Sequence, residues 1–352
     1  MTSKERFFST LQHKKTDRIP VIPFVGNWSA KLAGCPLGKY HTSADAMAQA
    51  HIRAYEMHGL DAVNPQSDNY YIAEGFGVKV KIMENETPIV VSTPLASIDD
   101  VDTLRAPDPY KDGRMPVYLE AIQKLHDALG EKVIIRAPGT GSFSMAGHLM
   151  GTDNFIMTLA IAEVEEDLET QEKLQHLLDI STTALIDFAT ACVKCGATFL
   201  QNGDSLSSIN MTSPAVFRKY ALPHQKRFFE TMNKLKKAHE FATFLHVCGD
   251  NTLVAEDMMT NGCDVIEVDY ACDLQKYVEL SKKTGTCLMG NLNPAGSLLF
   301  GTPDDVYRDA METLTIAGQD RYFILGSGCE VSMDTPLENV KAMITASRDF
   351  CK

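Results

Sequence analysis

The chain predicts an α/β fold: one closed (β/α)8 TIM barrel with an inserted β-hairpin. Three observations lead there. Seven short apolar runs, rich in β-branched residues, end in Gly, Pro, Asn or Asp, as buried strands do when they enter turns. Helical stretches separate them, and strand–helix–strand repeated this often predicts a parallel sheet. After the first run stands "PFVGNWSAKLAG", which is not the glycine fingerprint of an open dinucleotide-binding sheet.

In chain order the runs begin with "RIPVIPFVGN" (18–27), "VIIRAPGTGS" (133–142), "ATFLQNGDS" (197–205) and "ATFLHVCGD" (242–250). They continue with "DVIEVDYACD" (264–273), "TCLMGNLNP" (286–294) and "YFILGSGCE" (322–330). The stretches 165–196 and 213–238 read as helices between strands. "ATFLQNGDS" and "ATFLHVCGD" open alike, and later strands are spaced about one βα unit apart. The segment 78–93, which begins "VKVKIMENE", alternates like an antiparallel hairpin and reads as an excursion from the barrel. No linker, low-complexity tract or charge block divides the 352 residues, so a single domain over 1–352 is expected.

Composition bounds the function. Hydrophobic residues make up 44% and charged residues 22%, ordinary values for a globular protein. A net charge of −13 argues against a broad basic face for nucleic acid or anionic membrane. The first residues, "MTSKERFFSTLQHKKTDRIP", lack a signal-peptide apolar core, and no run reads as a membrane span. A cytoplasmic location is expected. Nine scattered cysteines do not form a disulfide framework.

Barrel enzymes place their chemistry at the C-terminal ends of the strands. His246 and Cys248 stand at such an end, and residues two apart on a strand share a face. Together they offer one nitrogen and one sulfur ligand. A catalytic zinc site needs a third protein ligand and an open position. Cys329, behind the turn Gly326-Ser327-Gly328, follows the last strand and is the leading candidate, with Cys272 behind it. Cys263 and Cys287 fall at strand beginnings, the wrong end. Glu267 and Asp269 share strand parity, and Asp269 lies nearer the C-terminal end. Either carboxylate is a candidate fourth ligand that yields to substrate. On pattern alone, His-x-Cys also fits a packed core pair.

The stretches "HVCGDNT" (246–252) and "GSGCEVSMDTPLENVKAM" (326–343) resemble the zinc-dependent methylcobamide:coenzyme M-type methyltransferases of the uroporphyrinogen decarboxylase superfamily. The likeness extends to "KERFFSTLQHKKTDRIPVIP" (4–23), "SDNYYIAEGFGVKV" (67–80) and "GNLNPAGSLLFGTPDDV" (290–306). The cobalamin-independent methionine synthases are similar in outline. The resemblance implies a uroporphyrinogen decarboxylase-like barrel with zinc held by His246, Cys248 and Cys329, and Asp269 as an acidic fourth ligand. It implies a methyl group moving between a corrinoid and a zinc-activated thiol such as coenzyme M. No "D-x-H-x-x-G" cobalamin motif is present, so the corrinoid (a cobamide) is expected on a separate corrinoid protein.

Two alternatives remain at this stage. A tetrapyrrole decarboxylase needs arginines to grip carboxylates, yet "RIPVIPFVGNWSAKLAG" (18–34) has none after Arg18. Asp68 is matched to an aspartate that faces the pyrroles in that enzyme. A non-catalytic corrinoid-protein binding module is the other alternative. Further candidates for substrate contact are Asn202 and Asp204 after a strand end, Trp28 beyond the first strand, and the loop "APGTGSFSMAGHLMG" (137–151). "CVKC" (192–195), His148 and His224 read as structural.

Overall fold

The computed structural model describes residues 1–320 and 322–352. Its strands are β1 (Ala62–Val63), β2 (Lys79–Lys81), β3 (Ile89–Ser92), β4 (Ile134–Ala137) and β5 (Phe199–Gly203). β6 (Ala242–His246), β7 (Val265–Glu267), β8 (Cys287–Leu292) and β9 (Phe323–Ser327) follow. Seven of them form one sheet in the order β1-β4-β5-β6-β7-β8-β9, every pair parallel. β2 and β3 pair antiparallel, which is the hairpin expected from 78–93.

Residues 19–24 complete the ring as its eighth stave. Ile22 N donates to Leu325 O at 2.8 Å and Leu325 N to Pro20 O at 2.9 Å, while Asp61 N, just before β1, donates to Val21 O at 3.0 Å. Pro20 and Pro23 have no N–H to give, so this stave makes isolated bridges, Val21 to Leu325 and Phe24 to Glu330, in place of a full ladder. β1 is absent from the seven sequence runs for a simple reason: two residues are too short for an alternation to register.

The strand period of two sorts the barrel interior into levels. Phe199, Phe244, Val265, Met289 and Ile324 pack within the barrel, closed below by Phe7 of the helix Ser3–Leu11. Phe7 meets Phe199 edge-on with centroids 4.8 Å apart. Two residues further along each strand the same face turns polar: Arg136 above Ile134, Gln201 above Phe199, His246 above Phe244 and Glu267 above Val265. Each buried aromatic or aliphatic side chain contributes roughly 1.5–3 kcal/mol, which supports the cost of that polar level.

The longest helix, Leu168–Lys194, has the length and apolarity of a membrane span, but 61% of its apolar window is buried within the fold. Leu174, Leu177, Leu178, Leu185 and Phe188 recur at helical spacing on its buried face. The stretch 137–151 is mostly not a loop. After a short turn it forms the helix Ser142–Met150, whose Ser144 N is capped by the Asp204 carboxylate at 2.8 Å.

Candidate metal centre

His246 ends β6 on the inward face, Cys248 lies two residues beyond it, and Cys329 lies two residues beyond β9. The structure brings the three together: their donor atoms all fall within 4.8 Å of one another. His246 Nε2 is 3.1 Å from Cys248 Sγ, and Cys248 Sγ is 3.6 Å from Cys329 Sγ. Among the described residues no other group of three His, Cys, Asp or Glu side chains converges this way.

Local backbone chemistry explains the convergence. Gly249 takes φ +84°, and a Cβ there would stand 2.4 Å from Asn210 Oδ1. A Cβ on Gly328 would stand 2.3 Å from Tyr270 N, so only glycine lets the β9 loop close over the β7 loop and present Cys329. Asn251, fully buried, ties the Cys248 turn by donating to Val247 O, Cys248 O and Gly249 O at 3.1, 3.1 and 3.0 Å. Ser205 Oγ lies 3.0 Å from Cys248 Sγ.

Behind His246 stands a buried ion pair of which the sequence reading named only Glu267, as a candidate ligand; the structure sets that carboxylate on Arg136 and outside the convergent group. Arg136 donates twice to Glu267, at 2.9 Å and 2.9 Å, with both side chains fully buried. The guanidinium sits between the rings of Phe24 and Phe244, at 4.5 and 4.4 Å. Glu267 Oε2 is 3.2 Å from His246 Nδ1. A carboxylate there favours the tautomer with its proton on Nδ1, which leaves Nε2 free to ligate. The cue was a lone Arg in "VIIRAPG" and a lone Glu in "DVIEVDY": a charge inside a buried strand needs a partner.

The electrostatics of the cluster reflect the crowding of its three side chains. Contact with Cys329 lowers the Cys248 thiol, against the effect of burial, while the same contact together with burial raises Cys329. Burial alone would depress His246, yet the Cys329 contact and the Glu267 charge push it up to about 9. One imidazole and two sulfurs, half-shielded and ringed by fixed backbone, are the donor set that suits zinc or another soft, tetrahedral cation.

The remaining sequence candidates fall elsewhere. Asp269, buried, accepts from Ala271 N at 2.8 Å and stands outside the convergent group. Cys272 is engaged with the Cys248 turn, its Sγ 3.3 Å from Gly249 O and 3.4 Å from Asn251 N. Asp68 is held by Arg114 at 2.7 and 2.9 Å and by Tyr70 N at 2.8 Å. Asp204 is spent on capping and on Gln225 Nε2 at 3.1 Å, whereas Asn202 is buried with neither amide atom partnered. Trp28 is buried, and its indole N–H donates to Thr335 O at 2.8 Å. His148 meets Tyr70 edge-on, and His224 lies between Thr182 and Gln175. Cys192 is buried and Cys195 half-buried at the end of the long helix.

Comparison with known proteins agrees with this architecture. A family profile described as "Uroporphyrinogen decarboxylase (URO-D)" matches residues 2–350. Methylcobamide:CoM methyltransferase MtbA of Methanosarcina acetivorans is 27% identical over 353 residues, covering 99% of this chain and 98% of the relative. A solved methyltransferase from Methanosarcina mazei superposes with a TM-score of 0.87 at 28% identity, covering 99% of this chain and 98% of the other. A B12-independent methionine synthase from Shewanella sp. W3-18-1 shares the fold, with a TM-score of 0.59 at 12% identity over 87% of this chain and 86% of its own.

Proposed function

This chain belongs to the uroporphyrinogen decarboxylase (URO-D) family, and from that premise we propose that it is a zinc-dependent methyltransferase working between a corrinoid and a small thiol. The observation that carries the reading is the convergence of His246, Cys248 and Cys329 at the barrel mouth. Likeness to a relative named for methylcobamide and coenzyme M supports the corrinoid and thiol classes. With no corrinoid-binding motif of its own, the chain receives the corrinoid on a separate protein that docks over the mouth.

His246, Cys248 and Cys329 are the residues that would hold zinc. When bound, zinc supplies Lewis acidity that lowers the pKa of a coordinating thiol. The chain's own residues do the rest. Glu267, held by Arg136, sets its charge 3.2 Å from the imidazole Nδ1, Gly249 and Gly328 fix the two sulfurs, and Ser205 adds a hydrogen bond at Cys248. Two cysteines as anionic ligands keep the site electron-rich, so a substrate thiolate stays nucleophilic. In the transfer, a sulfur–carbon bond forms as the cobalt–carbon bond of the methyl corrinoid breaks, the electron pair stays on cobalt, and the thiol proton goes to solvent. Asp269, buried and accepting from Ala271 N, would be the acidic residue available to such a metal besides the three convergent donors.

The decarboxylase reading loses its arginines in this structure. Arg18 is buried on Asp61 at 2.6 Å, below β1, while Arg136 and Arg114 are each held by carboxylates. The test is direct: purified protein incubated with methylcobalamin and a thiol should yield the methyl thioether and reduced cobalamin, and Cys248→Ala should abolish it. Product formation by metal-stripped protein at the full rate would refute the zinc mechanism. Binding of a corrinoid protein with no product from any thiol would favour the binding module.

A further inference from the structure

Five cationic side chains gather at the end of the barrel opposite the metal cluster. Arg6 comes from the helix Ser3–Leu11, Arg18 from the entry to the stave at 19–24, and Lys132 from the turn before β4. Arg348 and Lys352 come from the end of the last helix, Leu337–Phe350, and the residues after it. All five line one open cavity of about 570 Å³, in which Asp17 is the single acidic side chain of the wall. A chain of net charge −13 gives no compositional reason for such a local excess of cations.

Three of the five are neutralised within the protein. Arg6 donates to both oxygens of Asp17, at 2.7 and 2.8 Å, and also bonds Asp61. Arg18 donates to the Asp61 carboxylate at 2.6 and 3.0 Å, and Lys352 to Asp349 at 2.6 Å. Lys132 and Arg348 differ: both are exposed, and neither is bonded through its side chain to a described residue. Once Asp17, Asp61 and Asp349 are each set against one cation, the charges of Lys132 and Arg348 remain.

The floor beneath them is fixed. Asp61 is fully buried, bonds both guanidiniums and accepts from Val21 N at 2.7 Å, where the stave at 19–24 meets β1. Ser3 and Tyr55 add hydroxyls to the wall. A phosphate monoester carries about −1.5 to −2 at neutral pH, which matches two uncompensated cations, whereas a lone carboxylate would leave one of them unmet. The planar guanidinium of Arg348 suits two phosphate oxygens, and Lys132 supplies a point charge. The volume lies in the range of small-molecule sites, so there is room for a body attached to the phosphate.

We propose that this cavity is a second ligand site, which binds a phosphate group through Lys132 and Arg348. It goes beyond the methyltransferase reading and does not depend on it.

The experiment is equilibrium dialysis of the zinc-loaded full chain against AMP, inorganic phosphate and adenosine in turn. AMP should bind saturably and adenosine should not. AMP binding tighter than inorganic phosphate identifies a phosphorylated small molecule as the source, and equal binding identifies free phosphate. Lys132→Gln/Arg348→Gln alters two exposed side chains and should weaken AMP at least about tenfold, with zinc content and urea midpoint unchanged. Lys79→Gln/Lys81→Gln removes the same charge from the exposed hairpin and should bind as the unaltered protein does. No saturable binding of AMP or phosphate overturns the site. So does undiminished binding by the cavity variant, which would put the phosphate elsewhere, for instance on the metal. Equal weakening by both variants would show diffuse charge attraction and overturn it too.

Discussion

Glu267→Gln separates what the Arg136–Glu267 pair does for the fold from what it does for the metal. The substitution keeps shape and removes one negative charge, which leaves a fully buried guanidinium opposite a neutral amide. Breaking one side of a buried pair costs about 3–5 kcal/mol. A domain stable by about 5–15 kcal/mol survives that loss, with a markedly lower urea midpoint. The same change weakens the hold on His246 Nδ1, 3.2 Å away, and loss of such a support lowers zinc affinity by about 10–100-fold. Urea unfolding of the metal-free protein measures the first effect, and competition with a zinc chelator the second. The double variant Arg136→Met/Glu267→Gln then decides the matter. Removing both charges should restore most of the stability, because Met fills the slot between Phe24 and Phe244 without a charge to satisfy. It should not restore zinc affinity, since nothing returns a carboxylate to the imidazole. Zinc affinity that recovers together with stability would show that the pair acts on the metal only through the fold, and the positioning argument would be wrong.

Other outcomes can be checked independently. Cys248→Ala and Cys329→Ala should each reduce bound zinc from about one per chain to a small fraction by metal analysis, since a structural or catalytic zinc site needs at least three protein ligands. Gly328→Ala should do nearly as much without touching a ligand, because its Cβ would stand 2.3 Å from Tyr270 N; unchanged zinc content would contradict that account of the loop. Trp28→Phe removes the donor to Thr335 O and should cost about 1 kcal/mol in urea unfolding with little change in turnover. Burial lowers His51 and His58 to about 3, and His41 and His148 to about 4. Unfolding lets each take a proton near its ordinary value of about 6.5, so stability is present above that pH and is lost as pH falls from about 6.5 toward 4. By pH 5 each costs up to about 2 kcal/mol relative to pH 7, and a urea midpoint equal at pH 7 and pH 5 would contradict this.

The fold was readable because strands and helices differ in period, and long apolar runs between helices leave few architectures open. What the sequence hid was short or interrupted. β1 is two residues, and the stave at 19–24 is broken by two prolines, so the ring closes through segments that carry almost no periodic signal. Of the site, the three converging side chains stood out because His246 and Cys248 share parity at a strand end and Cys329 follows glycines. Asp204 shows why a polar residue after a strand end is ambiguous in sequence: it serves equally well to cap the next helix, and its carboxylate accepts from Ser144 N.

The pair behind His246 shows how the same parity rule reaches further. Position 136 on β4 and position 267 on β7 both lie two residues beyond an inward apolar side chain, so both must project into the mouth at the level of His246. Two charges buried at such positions must be opposite, and Arg with Glu satisfies both in a bidentate contact. The acidic member then has one oxygen edge left to face, and β6, the strand beside β7, places His246 there. The position of His246 and that of its charged neighbours thus follow from one register, set by the apolar layer beneath them. A one-residue slip of β7 against β6 would remove Glu267 from the interior and leave Arg136 unpaired, so the ion pair holds the sheet to the register that sets Glu267 beside His246.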